Sequence, residues 1–420
     1  MRDRPRDLDD DALLDYVQRQ TFRYFWEFAH PASGLSRERS NNVFGYGQET
    51  LTSGGSGFGV MAIVIAAHRE WVDRQDAVTR LLNIVRFLER ADSYHGVFPH
   101  FLNGDTGRTI PFSRKDDGGD IVETSFLIAG LLCARQYFAG ESAQETELRA
   151  RIDSLWWQVE WSWHARDNSN VLYWHWSPNN GWSMNHEIRG WNECLITYVL
   201  AAASPRYPIG ADVYHRGWAQ GRDFRNGRSY YDIELPLGPD YGGPLFFAHY
   251  SFLGLDPRGL KDIYADYWEQ NVRHVLINRE HCIRNPRAYK GYGAHCWGLT
   301  ASDNDQGYSA HAPQNDLGVI TPTAALSSFP YSPEYSMQAL RHFYDRLGDR
   351  IWGEFGFRDS FCESRNWYAE SYLAIDQGPI VGMIENHRSG LLWQLFMSCP
   401  EVRDGLRKLG FDSPYLREGV

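Results

Sequence analysis

The sequence predicts an all-α protein, and three observations carry that prediction. Apolar residues recur at helix spacing along most of the chain, strand signals are few and short, and long loops rich in Gly, Trp, His, Asp and Asn separate the helical segments. Packing about 10–13 helices from 420 residues without a large sheet is difficult in one flat bundle. Concentric rings of helices, a toroid, accommodate such a chain and leave the loops at one end to form a cleft. No charged or Ser/Pro-rich linker divides the sequence, and no repeat of solenoid period occurs, so residues 1–420 read as a single domain.

The first helix is expected within residues 1–30, where Leu13, Leu14, Val17, Phe22, Phe25 and Phe28 recur behind the acidic start at 9–11. Residues 34–57, rich in Gly, Ser and Asn, read as a loop before an apolar helix at 58–71. Further helices are expected near 74–92, 120–138, 145–163, 188–203, 258–276, 332–346 and 378–397. Short hairpin strands are expected at 353–357 and 170–176.

The net charge of −11 with no Lys/Arg-rich block argues against a nucleic-acid surface. No apolar run reaches the ~18–20 residues of a membrane helix. The length exceeds what one core requires, so disulfides, metals and partner chains are not needed for stability, and a monomer is expected. The six cysteines form no CxxC and no Cys/His cluster of zinc-like spacing, so no metal site is expected, and Cys133 and Cys194 read as core residues. Residues 1–11 are charged and carry no apolar stretch that would read as a signal peptide. The location is then cytoplasmic if that terminus is native, and periplasmic or secreted if a leader was removed. Aromatic residues make up 15% of the chain, with 16 Trp, which raises the possibility of rings stacking on sugar faces.

Several carboxylates stand at loop–helix junctions. Asp116, Asp120 and Glu123 are spaced 0, 4 and 7, but Gly118-Gly119 point to a loop that enters a helix at Asp120. There Asp120 would cap the helix with Glu123 at the third helical position, a capping-box variant. Glu193 follows Trp191-Asn192 at the start of an apolar helix; it is either an ordinary helix-start acid or one desolvated by the indole, as a general acid requires. Asp376 precedes Gly378-Pro379 and reads as an N-cap or a cleft acid. Residues 291–328 hold Tyr292, His295, Trp297, Asp303 and Asp305 among glycines, a loop too long and polar to be idle. Asp303 and Asp305 lack the spacing and terminal Glu of a calcium loop. Acids far apart in sequence, each beside Trp, Tyr or His, suit glycoside hydrolysis, which needs two carboxyl groups around one bond. No GxSxG elbow, phosphate loop, HExxH or dinucleotide fingerprint competes.

The runs TSGGSGFGVMA (52–62), GVFPHFLNGDTG (96–107), DDGGDIVETSFLIAGLL (116–132), GWNECLITYVLA (190–201), YGAHCWGLTASD (292–303), PTAALSSFPYSP (322–333) and AIDQGPIVGMIENHRSGLLWQLFM (374–397) resemble the glycoamylase-like domain family. That family includes the bacterial β-1,2-glucanases of glycoside hydrolase family 144, and the similarity spans about residues 20–410. The resemblance implies an (α/α)6 barrel, in agreement with the toroid, and anomer-inverting hydrolysis of β-1,2-glucan without a cofactor. Endo action is expected; the alternatives are exo release of sophorose, transglycosylation, or a non-catalytic glucan-binding domain. By motif, the acidic centre would fall on Asp116, Asp120, Glu123, Glu193 and Asp376. Glu193 would be the general acid and Asp376 the base, with the other three holding sugar hydroxyls or relaying protons, unless that cluster itself supplies the base. Trp176, Trp182, Trp191, Tyr292, His295, Trp297, Asp303, Trp367 and Tyr372 are expected to face the glucan. Trp156, Trp157, Trp161 and Trp163 follow a helix pattern and are expected in the core.

Overall fold

The computed structural model describes residues 4–42, 44, 45 and 47–417; the outermost ends of the expected 1–420 domain lie outside the described residues. Among these are thirteen α-helices: α1 (Asp10–Trp26), α2 (Ser53–His68), α3 (Arg74–Leu88), α4 (Ile121–Tyr137), α5 (Ala143–Gln158), α6 (Leu195–Ala203), α7 (Tyr267–Arg284), α8 (Pro322–Leu326), α9 (Pro333–Arg341), α10 (Gly348–Ile351), α11 (Ala374–Arg388), α12 (Leu391–Met397) and α13 (Pro400–Lys408). The strands form ribbons of two or three, and no sheet closes among the described residues.

Helix character sorts the elements. All nine residues of α6 are buried, as are residues 53–67 of α2 and 121–135 of α4. A helix that is apolar all round must be enclosed by protein. By contrast α1, α3 and α7 each bury one stripe and cover the others. Helix α2 packs between α4 and α11, α4 also meets α6, and α6 touches the turn Ser251–Leu253, which touches α11. Around these, α1 lies on α2 and α11, α3 on α2 and α5, and α13 on α6.

Glycine sets the closest of these contacts. A Cβ on Gly57 would sit 2.1 Å from the Phe126 carbonyl oxygen, and one on Gly130 would sit 2.2 Å from the Gly57 carbonyl oxygen. The run SGGSG at 53–57, read from sequence as the end of a loop, is therefore the first part of α2, because backbone-to-backbone packing on α4 outweighs the low helix propensity of Gly.

Other boundaries also moved. The helix expected near 258–276 is α7, displaced toward the C-terminus, and the one expected from 188 begins at Leu195. The helix expected at 378–397 starts at Ala374 and breaks at Gly390, whose φ of +71° ends α11 before α12. The expected hairpin at 353–357 is present as Trp352–Gly353 paired with Gly356–Phe357. From 170–176, His175–Trp176 pairs instead with Gly119–Asp120. Four hairpins were not anticipated: Phe101–Asn103 with Thr109–Ile110, Arg225–Tyr230 with Ile233–Leu237, Ala301–Asn304 with Gly307–Ala310, and Phe361–Cys362 with Trp367–Tyr368. The six cysteines are buried and unbridged, and no helix among the described residues is long and apolar enough to cross a membrane.

Candidate active site

The N-terminal ends of α2, α4, α6 and α11 converge on one cavity of about 560 Å³. They bring Thr52, Val122 and Glu123, Glu193, and Leu373 and Ile375 to its wall. Free backbone N–H groups and the positive dipole ends of the helices favour carboxylates there.

Asp120 is the N-cap of α4, accepting from the N–H groups of Val122 (3.0 Å) and Glu123 (2.9 Å), as the sequence predicts. The ribbon Gly119–Asp120/His175–Trp176 sets His175 opposite Asp120. The paired glycines have a reason here: a Cβ on Gly118 would lie 2.2 Å from the Trp176 carbonyl oxygen. His175 Nε2 stands 3.1 Å from Asp116 and 3.5 Å from Asp120, and His100 Nδ1 stands 3.1 Å from Asp120. Burial disfavours charge on both imidazoles, but the surrounding acids outweigh it and push each up to about 9. Burial alone would raise Asp120, yet its bonds to His100 and His175 hold it far below the ordinary carboxylate range. Glu123 accepts from the Gly54 N–H at 2.7 Å and faces the Thr52 hydroxyl at 3.3 Å. A Cβ on Gly54 would fall 2.5 Å from that carboxylate, so glycine is what lets Glu123 sit on the end of α2.

Glu193 comes two residues before α6. The Ser251 hydroxyl donates to its carbonyl and accepts from the Ile196 N–H (3.0 Å), while Asn192 accepts from the Cys194 N–H (2.9 Å). The backbone is thus fixed from both sides. Burial, reinforced by Glu123 and Asp120, pushes the Glu193 carboxyl up to about 7.

A second acidic cluster meets the cavity at Glu38 and Arg39. Arg39 is buried, bonds Asp303 at 3.0 and 3.2 Å and Glu38 at 2.8 Å, and the Ser371 hydroxyl donates to Asp303 at 2.5 Å. Asp359 accepts from the Asp303 N–H at 2.7 Å. Asp376 is buried with neither oxygen hydrogen-bonded to a conventional donor, and one Asp359 oxygen is in the same state. Burial followed by mutual repulsion raises Asp376 well above its ordinary value, and burial with Asp303 pushes Asp359 up to about 7. Two adjacent carboxyls of this kind hold a proton between them. Of the two sequence readings of Asp376, the N-cap does not hold. The Gln377 N–H already bonds the Leu373 carbonyl (2.9 Å), so α11 starts earlier and Asp376 lies in its first turn.

The expected aromatic wall is largely corrected. Trp297 is fully buried and Trp191 is turned into the core, stacked on Tyr267 at 5.6 Å, because both rings fill space between helices. Tyr292 is tied to Asp316 (2.8 Å), and His295 is exposed on a separate groove with Asp10, Arg341 and His342. Tyr372 is buried, with its N–H on the Ser40 hydroxyl (2.9 Å). Trp367 and Asp303 line a neighbouring groove of about 650 Å³ that shares Phe44 with the cavity. Trp176 and Trp182 are half-buried against Trp163, which is exposed like Trp157, whereas Trp156 and Trp161 are core as expected. The Phe, Trp and Tyr rings on the cavity itself are Phe44, Phe101, Phe112, Phe126, Trp174, Phe246, Tyr250 and Tyr308. Sequence reasoning also missed Glu38, Arg39, His100, His175 and Asp359. His100 lies inside a quoted motif, but the others have partners up to 264 residues away and carry no local signal.

The Glycoamylase family model ("Putative glucoamylase") matches residues 185–400. A solved structure of a putative glucoamylase from Bacteroides uniformis is 62% identical with a TM-score of 0.96, over 98% of this chain and 100% of that one. The endo-β-1,2-glucanase of Chitinophaga pinensis, solved with sophorotriose and glucose, is 57% identical with a TM-score of 0.95, over 98% and 100%. An exo β-1,2-glucooligosaccharide sophorohydrolase (non-reducing end) of Parabacteroides distasonis is 47% identical over 95% of this chain, which spans 58% of that protein's length. Identity of this order, sustained along both chains of two solved relatives, makes this chain a member of the glycoamylase-like family.

Proposed function

We propose that the chain is an anomer-inverting, endo-acting glycoside hydrolase of β-1,2-glucan, with Glu193 as general acid. The observation that carries the reading is the Glu193 carboxyl on the cavity wall, pushed up to about 7 and so protonated when a glycosidic oxygen must be cleaved. Asp376 is the base, acting in the form of the pair that shares a single proton with Asp359. Tyr250 and Tyr308, which line the cavity, lie in the field of Asp376. Asp116, Asp120 and Glu123 hold sugar hydroxyls, with His100 and His175 fixing their charge. A second reading makes Glu123 the base, because Glu123 lines the cavity and Asp376 does not.

The order of contacts supports an (α/α)6 toroid: α2, α4, α6, the turn Ser251–Leu253 and α11 meet in a cycle, and α8 rests on α11. One apolar core runs from Leu13 to Phe411, which supports a single domain. Endo action is favoured by the higher identity to the Chitinophaga enzyme, matched over its whole length; exo release of sophorose follows the Parabacteroides relative.

The test is a time course on linear β-1,2-glucan, with β-1,3-, β-1,4- and α-1,4-glucans as controls. Mixed oligosaccharides at early times and α-anomeric products by NMR are expected. Sophorose accumulating alone selects exo action, and activity only on the α-glucan overturns the substrate assignment. Azide rescue of Asp376→Asn, but not of Glu123→Gln, with an α-glycosyl azide as product, assigns the base; the reverse pattern selects Glu123.

A further inference from the structure

Outside the cavity, one cluster of donor atoms has no part in the chemistry above. Cys296, His342 and Glu363 place a thiol sulfur, a ring nitrogen and a carboxylate oxygen within 4.8 Å of one another. They arrive from three segments: the tight turn closed by Gly293 and Cys296 (3.0 and 3.2 Å), the helical turn His342–Arg346 that continues α9, and the short helix Glu363–Arg365. Cys296 is buried, and the buried His342 Nε2 has no hydrogen-bond partner. Gly291, at φ +90°, makes room for the third donor, since a Cβ there would lie 2.2 Å from the Glu363 carboxylate. His295 and His342 line an outer groove of about 390 Å³ together with Met337, so the cluster lies just behind the surface.

We propose that Cys296, His342 and Glu363 form a binding site for a zinc-like divalent cation, with the neighbouring His295 or a water as the fourth ligand. The donor set is one that zinc accepts: a thiolate, an imidazole and a carboxylate around a four-coordinate ion. Hard cations such as calcium and magnesium take oxygen ligands and do not match a thiol and an imidazole. Binding converts the Cys296 thiol to a thiolate, with the proton released to solvent and no change of oxidation state. The ion would tie the 293–296 turn to the end of α9 and to residues 363–365. Its role is therefore to hold three loops, and no step of glucan cleavage involves it. The sequence spacing that argued against zinc fails here because the donors lie 46 and 67 positions beyond Cys296 and meet only in the fold.

Cobalt(II) added to the chelator-treated protein gives the test. One equivalent bound, with a thiolate-to-cobalt charge-transfer band in the near ultraviolet that zinc abolishes, is the expected result. The band alone is diagnostic in the unaltered protein, because the other two donor clusters among the described residues, around His30 and around His100, contain no cysteine. Cys296→Ser and His342→Gln should each remove the band or weaken binding at least tenfold, and zinc should raise the thermal midpoint of the parent protein only. Absence of a thiolate band at stoichiometric cobalt, or binding unchanged in both variants, overturns the assignment.

Discussion

The two acidic sides of the cavity hold the same kind of residue in opposite states. On the α4 side, Asp116 and Asp120 face His175 and His100, and Asp120 also takes two backbone N–H groups. On the α11 side, one arginine serves Glu38 and Asp303, and Asp376 is left without a donor. Asp120 and Asp376 are both buried, yet one is held far below the carboxylate range and the other well above it. Burial therefore does not decide the proton affinity; the partners do. A fully paired acid is a fixed charge that orients its neighbours, and an unpaired one is a proton carrier.

Removing the two proton carriers should have the largest effect. Glu193→Gln and Asp376→Asn are each expected to lower kcat by about 10²–10⁴-fold with the fold retained, as measured by reducing-end release and circular dichroism. Unchanged rates in both would remove the acid and base assignments together. On the paired side the loss should appear in stability. Asp120→Asn leaves the buried His175 and the half-buried His100 imidazoliums under-compensated and should cost about 3–5 kcal/mol in urea unfolding.

The pH dependence sharpens the contrast. The depressed Asp120 contributes stability that is full above the ordinary carboxylate range and is lost as pH falls through its folded-state pKa. The raised Asp376 does the reverse, destabilising the fold increasingly as pH rises above about 4. Asp376→Asn should then raise the thermal midpoint at neutral pH, with the gain vanishing in acid. For activity, Glu193 must be protonated, so kcat/KM should fall as pH rises through about 7, and a limb that persists in Glu193→Asp at the same pH would assign it to another group.

Smaller effects are expected away from the charges. Gly57→Ala should cost about 1–3 kcal/mol by forcing α2 off α4, measured as a lowered unfolding midpoint. Trp174→Ala should raise KM roughly tenfold for a ring on the cavity, while Trp297→Phe should leave KM unchanged because that ring faces only the core.

Much of the helical framework was legible. Leu13, Leu14, Val17, Phe22 and Phe25 are buried on α1, and Asp120 caps α4, because periodicity and capping act over a few residues. The glycine run at the start of α2 was misread because its use lies on another helix. Trp191 and Trp297 were expected at the cleft because acids neighbour them in sequence, but direction along a loop is set by what fills the space behind it. Trp174 and Tyr250 carried no such cue and line the cavity.

The sequence by itself determined which segments must be helical, which of them must be enclosed, and which motif acids stand at helix starts. It did so because helix period, capping and apolar content are local quantities. Only the tertiary structure decided that Arg39 would serve Asp303, that Asp359 would face Asp376, and that Cys296 would meet His342 and Glu363. The charge state of a buried group depends on partners brought from distant positions, and no spacing along the chain records them.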